Sequence, residues 1–274
     1  MGGCGYGVRT FFRKSADWKE VRKYKVNEVI LERIVFKHKT KNYYLVADAY
    51  DGRYISDCTI DFLKSCSGIK KDTVMVGKTV IGISGNARLV SYVGHNGLMD
   101  FKLANTYQNT DDKTRDAIII ACASKQYFSQ YLKTAKANPL VWSTHLMSAE
   151  AYTVHDAIRA YINGQPASAV REAAASAYNN YQKCGINGGK KAACHRILTL
   201  FQYLIPGFLY SGYVICRPQN QIFQVRYQAV SSICYIILYP RRYFGIHPAC
   251  YQPSASSDFN VTVSMRCEMS PIVR

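Results

Sequence analysis

The sequence predicts an α/β domain whose sheet is mainly parallel and flanked by helices. Short runs of apolar and β-branched residues, each about as long as a buried strand, alternate with segments of helical periodicity. Of the 274 residues, 48% are apolar, which supplies a sizeable core and argues against a disordered chain. Two strand-like runs, at 89–97 and 116–124, each carry a reactive side chain near their end. We therefore expect the functional site where those strands end.

The first part of the chain predicts a hairpin and a helix behind an irregular start. Residues 1–27 are glycine-rich and then basic, which predicts a flexible N-terminus. The apolar runs Val29–Phe36 and Asn42–Asp48 are separated by a short polar stretch, which is typical of a hairpin or a short connection. Apolar residues in Ile55–Cys66 recur at helical spacing, and Gly68 follows as a C-terminal stop.

The middle of the chain alternates between strand-like and helical patterns. Residues 84–87 alone join the strand-like run Thr73–Ile83 to Leu89, and a parallel crossover needs a dozen or more residues. The first run therefore forms a hairpin with the second or lies outside the main sheet. Residues 98–115 are polar and predict a loop. The remaining predicted elements are a helix at Tyr127–Ala137, a strand at Pro139–Thr144, and helices at Ala149–Tyr161 and Ala167–Lys183.

The composition of the chain changes beyond about Leu204. Lysines are absent from this part, while prolines, glutamines and scattered aromatic residues replace the earlier periodicity. We therefore divide the chain into a basic N-terminus (1–27), a folded domain (28–200) and a distinct tail (201–274) outside that fold. Ile197–Cys216 carries no acid, lysine or arginine, as in a membrane helix, but Pro206 and its polar residues disfavour that interpretation.

Charge and cysteine content restrict the class of protein. The formal net charge of +17 favours acidic partners such as nucleic acid, although a solvated basic surface gives the same value. The ten cysteines include no Cys-x-x-Cys pair, and several lie in apolar runs, as reduced core cysteines do. The N-terminus shows no signal-peptide pattern. These features predict a reducing, cytoplasmic location.

His95 and Cys122 are the candidate catalytic residues. Each follows a short buried run, and glycines flank His95 at Gly94 and Gly97. Polar groups just past the carboxyl ends of neighbouring parallel strands lie close together, and a cysteine beside a histidine is a nucleophile beside a base. Asp48 ends another strand-like run and is the candidate third member, which would orient His95 or bind a cationic group of the substrate.

Each candidate also has a purely structural interpretation. Cys122 follows an apolar run and fits a buried thiol, and Asp48 fits a turn or a helix N-terminus. His145 follows the next predicted strand and offers a competing base. A zinc site is a further alternative, since zinc binds side chains of the types found at Asp48, His95, Cys122 and His145. The spacing of these residues matches no metal motif.

Several sequence blocks carry a resemblance to known families. The blocks are Tyr44–Gly52, Asp61–Leu63, Val93–Phe101, Ala121–Lys125 and Leu146–Thr153. Over roughly residues 43–185 they resemble an uncharacterised bacterial protein family. An apolar strand followed by His and Gly, and a second followed by Ala-Cys, is more distantly similar to the caspase-like cysteine peptidases of the legumain, gingipain and metacaspase types. The chain departs from that clan in placing Asn96 between His95 and Gly97.

The resemblance implies a caspase-like three-layer sandwich and a peptidase site. It makes Cys122 the nucleophile and His95 the general base, with the backbone amides of Gly97 and Cys122 binding the oxyanion. The sequence thus predicts a cysteine-dependent hydrolase that acts on peptide or protein and uses neither cofactor nor metal. The alternative is a non-catalytic basic module that binds nucleic acid or another acidic partner through its charge.

Overall fold

The computed structural model describes residues 5–193, Ser254–Ser256 and Val261–Arg266. The helices are α1 (Val8–Lys14), α2 (Ile55–Cys66), α3 (Ser124–Thr134), α4 (Ala151–Ile162), α5 (Ala167–Gln182) and α6 (Gly185–Ala192). The strands are β1 (Trp18–Tyr24), β2 (Ile30–His38), β3 (Tyr44–Tyr50), β4 (Lys71–Val76), β5 (Thr79–Ser84), β6 (Leu89–Val93), β7 (Asp116–Ile120), β8 (Asn138–Trp142), β9 (Ser254–Ser256) and β10 (Val261–Arg266). The α/β class predicted from the sequence is confirmed.

The main sheet is parallel in its centre and antiparallel at one side. Its strand order is β1-β2-β3-β10-β6-β7-β8, with β9 pairing additionally with β3. Strands β3, β10, β6, β7 and β8 run parallel, while β1, β2 and β3 form antiparallel pairs. The predicted hairpin of β2 and β3 is therefore confirmed. The carboxyl ends of β6 and β7 lie side by side, at the end of the sheet where its parallel strands finish.

Helices cover both faces of this sheet. One core joins the sheet to α1, α4 and α5 and includes Phe12, Val154 and Val170. The opposite core joins it to α2 and α3 and includes Phe62 and Phe128. The parallel strands β6 and β7 are buried on both sides, and this explains why their sequences are continuously apolar rather than alternating. The finer caspase-like arrangement stays a prediction.

Strands β4 and β5 form a separate hairpin that is not part of the main sheet. The prediction that Thr73–Ile83 lies outside the main sheet is thus confirmed, but this run forms two paired strands and not the single strand that its pattern predicted. Val74, Ile81 and Ile83 of the hairpin pack against Val35 and Val46 of the main sheet. The residues between Gly97 and Asp116 contain a single 3-10 turn followed by irregular chain, so the predicted loop is also confirmed.

The prediction of a flexible segment at residues 1–27 is corrected by α1 and β1. Val8 and Phe12 of α1 and Trp18 of β1 are buried in the core. The Ser15 hydroxyl group lies 2.9 Å from Nε2 of His155 on α4, and the His155 ring contacts Phe12. The basic side chains that suggested flexibility lie on the solvent side of a segment whose few apolar residues anchor it.

The predicted tail, 201–274, is described only at β9 and β10. Strand β10 pairs in parallel with β3 on one side and with β6 on the other. The remaining tail, including the Ile197–Cys216 segment, lies outside the described residues. Within the described part of the chain, none of the helices combines the length and apolar character needed to cross a bilayer.

Acidification below about pH 6.5 is expected to destabilise the turn between β2 and β3 through His38. Nδ1 of this buried side chain accepts hydrogen bonds from the backbone N–H groups of Thr40 (3.2 Å) and Lys41 (3.1 Å). Burial, followed by the positive charge of Lys41, lowers the pKa of His38, although Asp17 acts in the opposite direction. The unfolded chain therefore takes up a proton before the folded chain does.

The contribution of His38 to the free energy of unfolding should accordingly be constant above about pH 6.5 and decrease as the pH drops toward the lowered folded-state pKa. Urea unfolding at a series of pH values measures this dependence. His38→Gln keeps an acceptor but cannot titrate, so its stability should decline less steeply between pH 6.5 and 5. Equal slopes for the two proteins would contradict this role for His38, since the other histidines contribute alike to both.

Candidate functional site

The structure brings the backbones of His95 and Cys122 to neighbouring strand ends. Strands β6 and β7 pair in parallel with Val93 opposite Ile120. Each candidate residue follows at the second position after its strand, and the Gly94 N–H group donates to the Ile120 carbonyl oxygen at 3.0 Å. Sequence reasoning correctly predicted that the two residues leave adjacent strands in the same direction.

Asn96 ties the histidine loop to the cysteine loop. Its Nδ2 donates to the backbone carbonyl oxygen of Cys122 at 2.7 Å, and its Oδ1 accepts from the Leu98 N–H group at 3.1 Å. The residue is completely buried. Asn96, which separates this sequence from the usual His-Gly pattern, thus fixes the main chain of one candidate catalytic residue against that of the other.

Asp100 provides the carboxylate that accompanies His95. Its Oδ2 lies 2.6 Å from Nε2 of the imidazole ring. A 3-10 turn, Gly97–Met99, brings Asp100 back toward His95, and the Asp100 N–H group donates to the Gly97 carbonyl oxygen at 2.9 Å. The signal in the sequence was the Asn-Gly pair, which is typical of a turn and reverses the chain between the two side chains.

Close packing holds the histidine loop. The Tyr92 hydroxyl group donates to the His95 carbonyl oxygen at 2.6 Å. At Gly97 an added Cβ atom would lie 2.7 Å from Cγ1 of Ile55 and 2.8 Å from the Phe101 ring. Gly97 is therefore required for the approach of this loop to α2. The proposed oxyanion-binding role of the Gly97 and Cys122 amides stays a prediction.

The Cys122 side chain is partly buried and contacts the main chain of Met147. The Met147 N–H group donates to Sγ at 3.4 Å, and the thiol group donates to the Met147 carbonyl oxygen, also at 3.4 Å. Met147 belongs to the segment that follows β8. The candidate nucleophile is thus partly exposed, and the main chain of the segment after β8 contacts its sulfur.

The start of α3 is fixed by side-chain hydrogen bonds behind Cys122. Ala123 adopts the left-handed conformation with φ 47°, and the Ser124 hydroxyl group donates to the Ile119 carbonyl oxygen at 3.1 Å. The N–H groups of Ser124 and Lys125 donate to the side chain and the carbonyl oxygen of Ser143, respectively. These two amides at the start of the helix therefore donate to Ser143, which closes the first turn of α3 against the end of β8.

Asp48 forms an ion pair with Arg33 on the neighbouring strand. Nε of Arg33 lies 2.5 Å from one carboxylate oxygen of Asp48, and Nη2 lies 2.7 Å from the other. Burial disfavours the charged guanidinium, but the charge and hydrogen bonds of Asp48 outweigh it and raise the Arg33 pKa. Since β3 continues to Tyr50, Asp48 is not at a strand end, and the carboxylate on His95 is that of Asp100.

His145 lies on the chain that follows β8, with an exposed side chain. Its carbonyl oxygen accepts from the Ala123 N–H group at 2.9 Å, whereas its Nδ1 lies 2.8 Å from the Thr144 hydroxyl group. Partial desolvation by the surrounding protein and the charge of Lys191 lower the His145 pKa. Among the described residues, no group of three or more His, Cys, Asp and Glu side chains has a geometry for holding a metal ion.

Comparison with known proteins does not assign this chain to a family. No family model, no curated protein and no solved structure matches it.

Proposed function

We propose that the chain is a cysteine-dependent hydrolase of peptide bonds, with Cys122 as the nucleophile and His95 as its base. The observation that carries the proposal is the placement of these residues after adjacent parallel strands, where Asn96 fixes the two loops together. Asp100 completes the arrangement by accepting a hydrogen bond from the Nε2–H group of the imidazole ring. This leaves Nδ1 as the nitrogen that exchanges a proton with the thiol and the substrate.

The chemistry follows the roles of these groups. Nδ1 of His95 takes the thiol proton, and the Cys122 sulfur attacks the peptide carbonyl carbon to form a tetrahedral oxyanion. Cleavage of the C–N bond transfers the proton to the leaving amine and leaves an acyl group on the sulfur. A water molecule, deprotonated by His95, then hydrolyses the thioester and regenerates the thiol. Asp100 keeps the ring oriented and stabilises the imidazolium formed in each half-reaction.

Alkylation by iodoacetamide, resolved by peptide mass mapping, tests the dyad. A free thiol of pKa roughly 8.5 is only a few per cent ionised at pH 7, so pairing with His95 should raise the Cys122 rate markedly. We expect His95→Ala to slow Cys122 alkylation at pH 7 by about tenfold or more. Cys184 is the internal control, because it is exposed while partial burial raises its pKa.

Equal Cys122 rates in the wild type and in His95→Ala would refute the dyad. The same two proteins and Cys122→Ser are then incubated with a pool of unstructured peptides, whose cleavage is followed by mass spectrometry. Cleavage lost in both variants supports peptidase activity. Salt-sensitive binding of nucleic acid that is unchanged in Cys122→Ser, together with absent cleavage and His95-independent labelling, supports the basic binding module instead.

A further inference from the structure

The chain between β8 and α4 covers the candidate nucleophile. We call residues 144–150 the strap. Its central residue, Met147, both donates to and accepts from the Cys122 sulfur through its main chain, with each heavy-atom distance 3.4 Å. The thiol group has one proton, and in this arrangement that proton is directed to the Met147 carbonyl oxygen. A proton held there is not directed to His95.

The strap contact also hinders the approach of a substrate to the sulfur. On a thiolate the two main-chain contacts act in opposite directions, because the Met147 carbonyl oxygen repels the negative sulfur and the Met147 N–H group attracts it. Nucleophilic attack requires a substrate carbonyl carbon within about 3–3.5 Å of the sulfur, in the space beside this backbone. The Met147 main chain therefore occupies part of the space that an approaching substrate needs.

Two helices hold the strap in place. The Ser148 N–H group donates to the Tyr178 hydroxyl oxygen on α5 at 3.1 Å. The Thr144 N–H group and hydroxyl group both donate to the Lys191 carbonyl oxygen on α6 at 3.1 Å. These contacts lie on either side of Met147, whereas the side chain of Leu146 between them is 46% exposed.

We propose that the strap is an autoinhibitory contact that covers Cys122 and directs its thiol proton away from His95, and that α5 and α6 hold it closed. Loosening of these helices against the strap exposes the sulfur to His95 and to substrate. The catalytic consequence rests on the proposed function, but the change in thiol accessibility does not. The device therefore has a test that separates it from the dyad.

Tyr178→Phe removes the hydroxyl acceptor of Ser148 while retaining the ring, which is 8% exposed and packs against Tyr152. Loss of one neutral hydrogen bond shifts an opening equilibrium by roughly twofold to tenfold. We expect Cys122 alkylation to accelerate by that factor, with the Cys184 rate unchanged. The matched control is Tyr181→Phe on the same helix, whose ring stacks on Tyr152 at 4.2 Å and which should leave the Cys122 rate unchanged.

Thr144→Val provides a second, independent release, because it removes the hydroxyl donor to Lys191 with little change in volume. Circular dichroism confirms that each variant is folded. A Cys122 rate in Tyr178→Phe and Thr144→Val that equals or falls below that of the wild type overturns the strap proposal. If both variants accelerate labelling but His95→Ala does not slow it, the strap proposal stands and the dyad fails. If wild-type labelling depends on His95 but neither variant accelerates it, the strap proposal alone fails.

Discussion

Replacing Arg115 by methionine is expected to lower the free energy of unfolding by about 3–5 kcal/mol, because it leaves a partly buried carboxylate without its main partner. The Arg115 side chain is 2% exposed. Its Nη1 and Nη2 donate to the two carboxylate oxygens of Asp111 at 3.0 and 2.6 Å, and its Nε donates to the Gly85 carbonyl oxygen at 2.7 Å. Methionine fills a similar volume but replaces none of these bonds.

Urea unfolding at pH 7 measures the effect, and a surface ion pair supplies the control. Lys136 and Asp112 lie 3.0 Å apart with both side chains largely exposed, so Lys136→Met should cost less than about 1 kcal/mol. Similar losses in the two variants would contradict the burial argument. Adding Asp111→Leu to Arg115→Met should restore part of the stability, since it removes a partly buried carboxylate that Lys71 alone then neutralises.

The Arg115 pair also has a pH signature. The hydrogen bond from Arg115 lowers the Asp111 pKa below its ordinary value, more than burial raises it. A carboxylate with a depressed folded-state pKa adds stability above its unfolded pKa, which is about 3.9, and loses that contribution as the pH falls further. The stability difference between the wild type and Arg115→Met should therefore diminish below about pH 4.

Local patterns in the sequence were sufficient for much of the fold. Helix α2 occupies Ile55–Cys66, the bounds predicted from its apolar spacing, because one face of that helix meets the sheet and the other meets water. The hairpin of β2 and β3 is likewise a local feature of two apolar runs and a short connection. In both elements, the pattern of neighbouring residues is enough to predict the structure, even when the distant partner is unknown.

The wrong predictions concern residues whose partners are distant in the sequence, or whose burial was obscured by the charged residues around them. Asp48 was predicted beside His95, but Arg33 faces it across the antiparallel pair, and strand register is not visible in a single run. The N-terminus was predicted to be flexible because its charge obscured Phe12 and Trp18, whose burial depends on strands and helices much later in the sequence. The position of β10 between β3 and β6 is a similar long-range pairing.

Only part of the candidate site was predicted from the sequence. His95 and Cys122 were recognised because each follows an apolar run. A residue that follows a parallel strand lies at the carboxyl-terminal end of the sheet whatever the order of the strands. Asp100 and Met147 were missed as contributors because their roles depend on a 3-10 turn and on the path of the chain after β8. Sequence periodicity predicts where an element ends, but it does not predict which loop returns to cover that end.

Asn96→Leu is expected to impair both stability and the dyad, since its side chain bonds one loop to the other. Leucine has a similar size but leaves the Cys122 carbonyl oxygen and the Leu98 N–H group without this buried partner. Each lost partner costs about 1–3 kcal/mol, so we expect a decrease of about 2–6 kcal/mol in the free energy of unfolding. Urea unfolding at pH 7 measures this decrease.

The effect on Cys122 distinguishes a positioning role from a merely structural one. If Asn96 sets the distance between the loops, a displacement of about 1 Å should slow the His95-dependent alkylation of Cys122 by tenfold to a hundredfold in the folded variant. Asn109→Leu is the matched control, because the Asn109 side chain also bonds the main chain but belongs to a different segment from the His95 loop. Its Nδ2 donates to the carbonyl oxygens of Lys113 at 2.9 Å and Ala135 at 3.1 Å. It should lose stability while keeping the wild-type Cys122 rate. Equal slowing in the two variants would show that the rate follows global stability and not the contact between the loops.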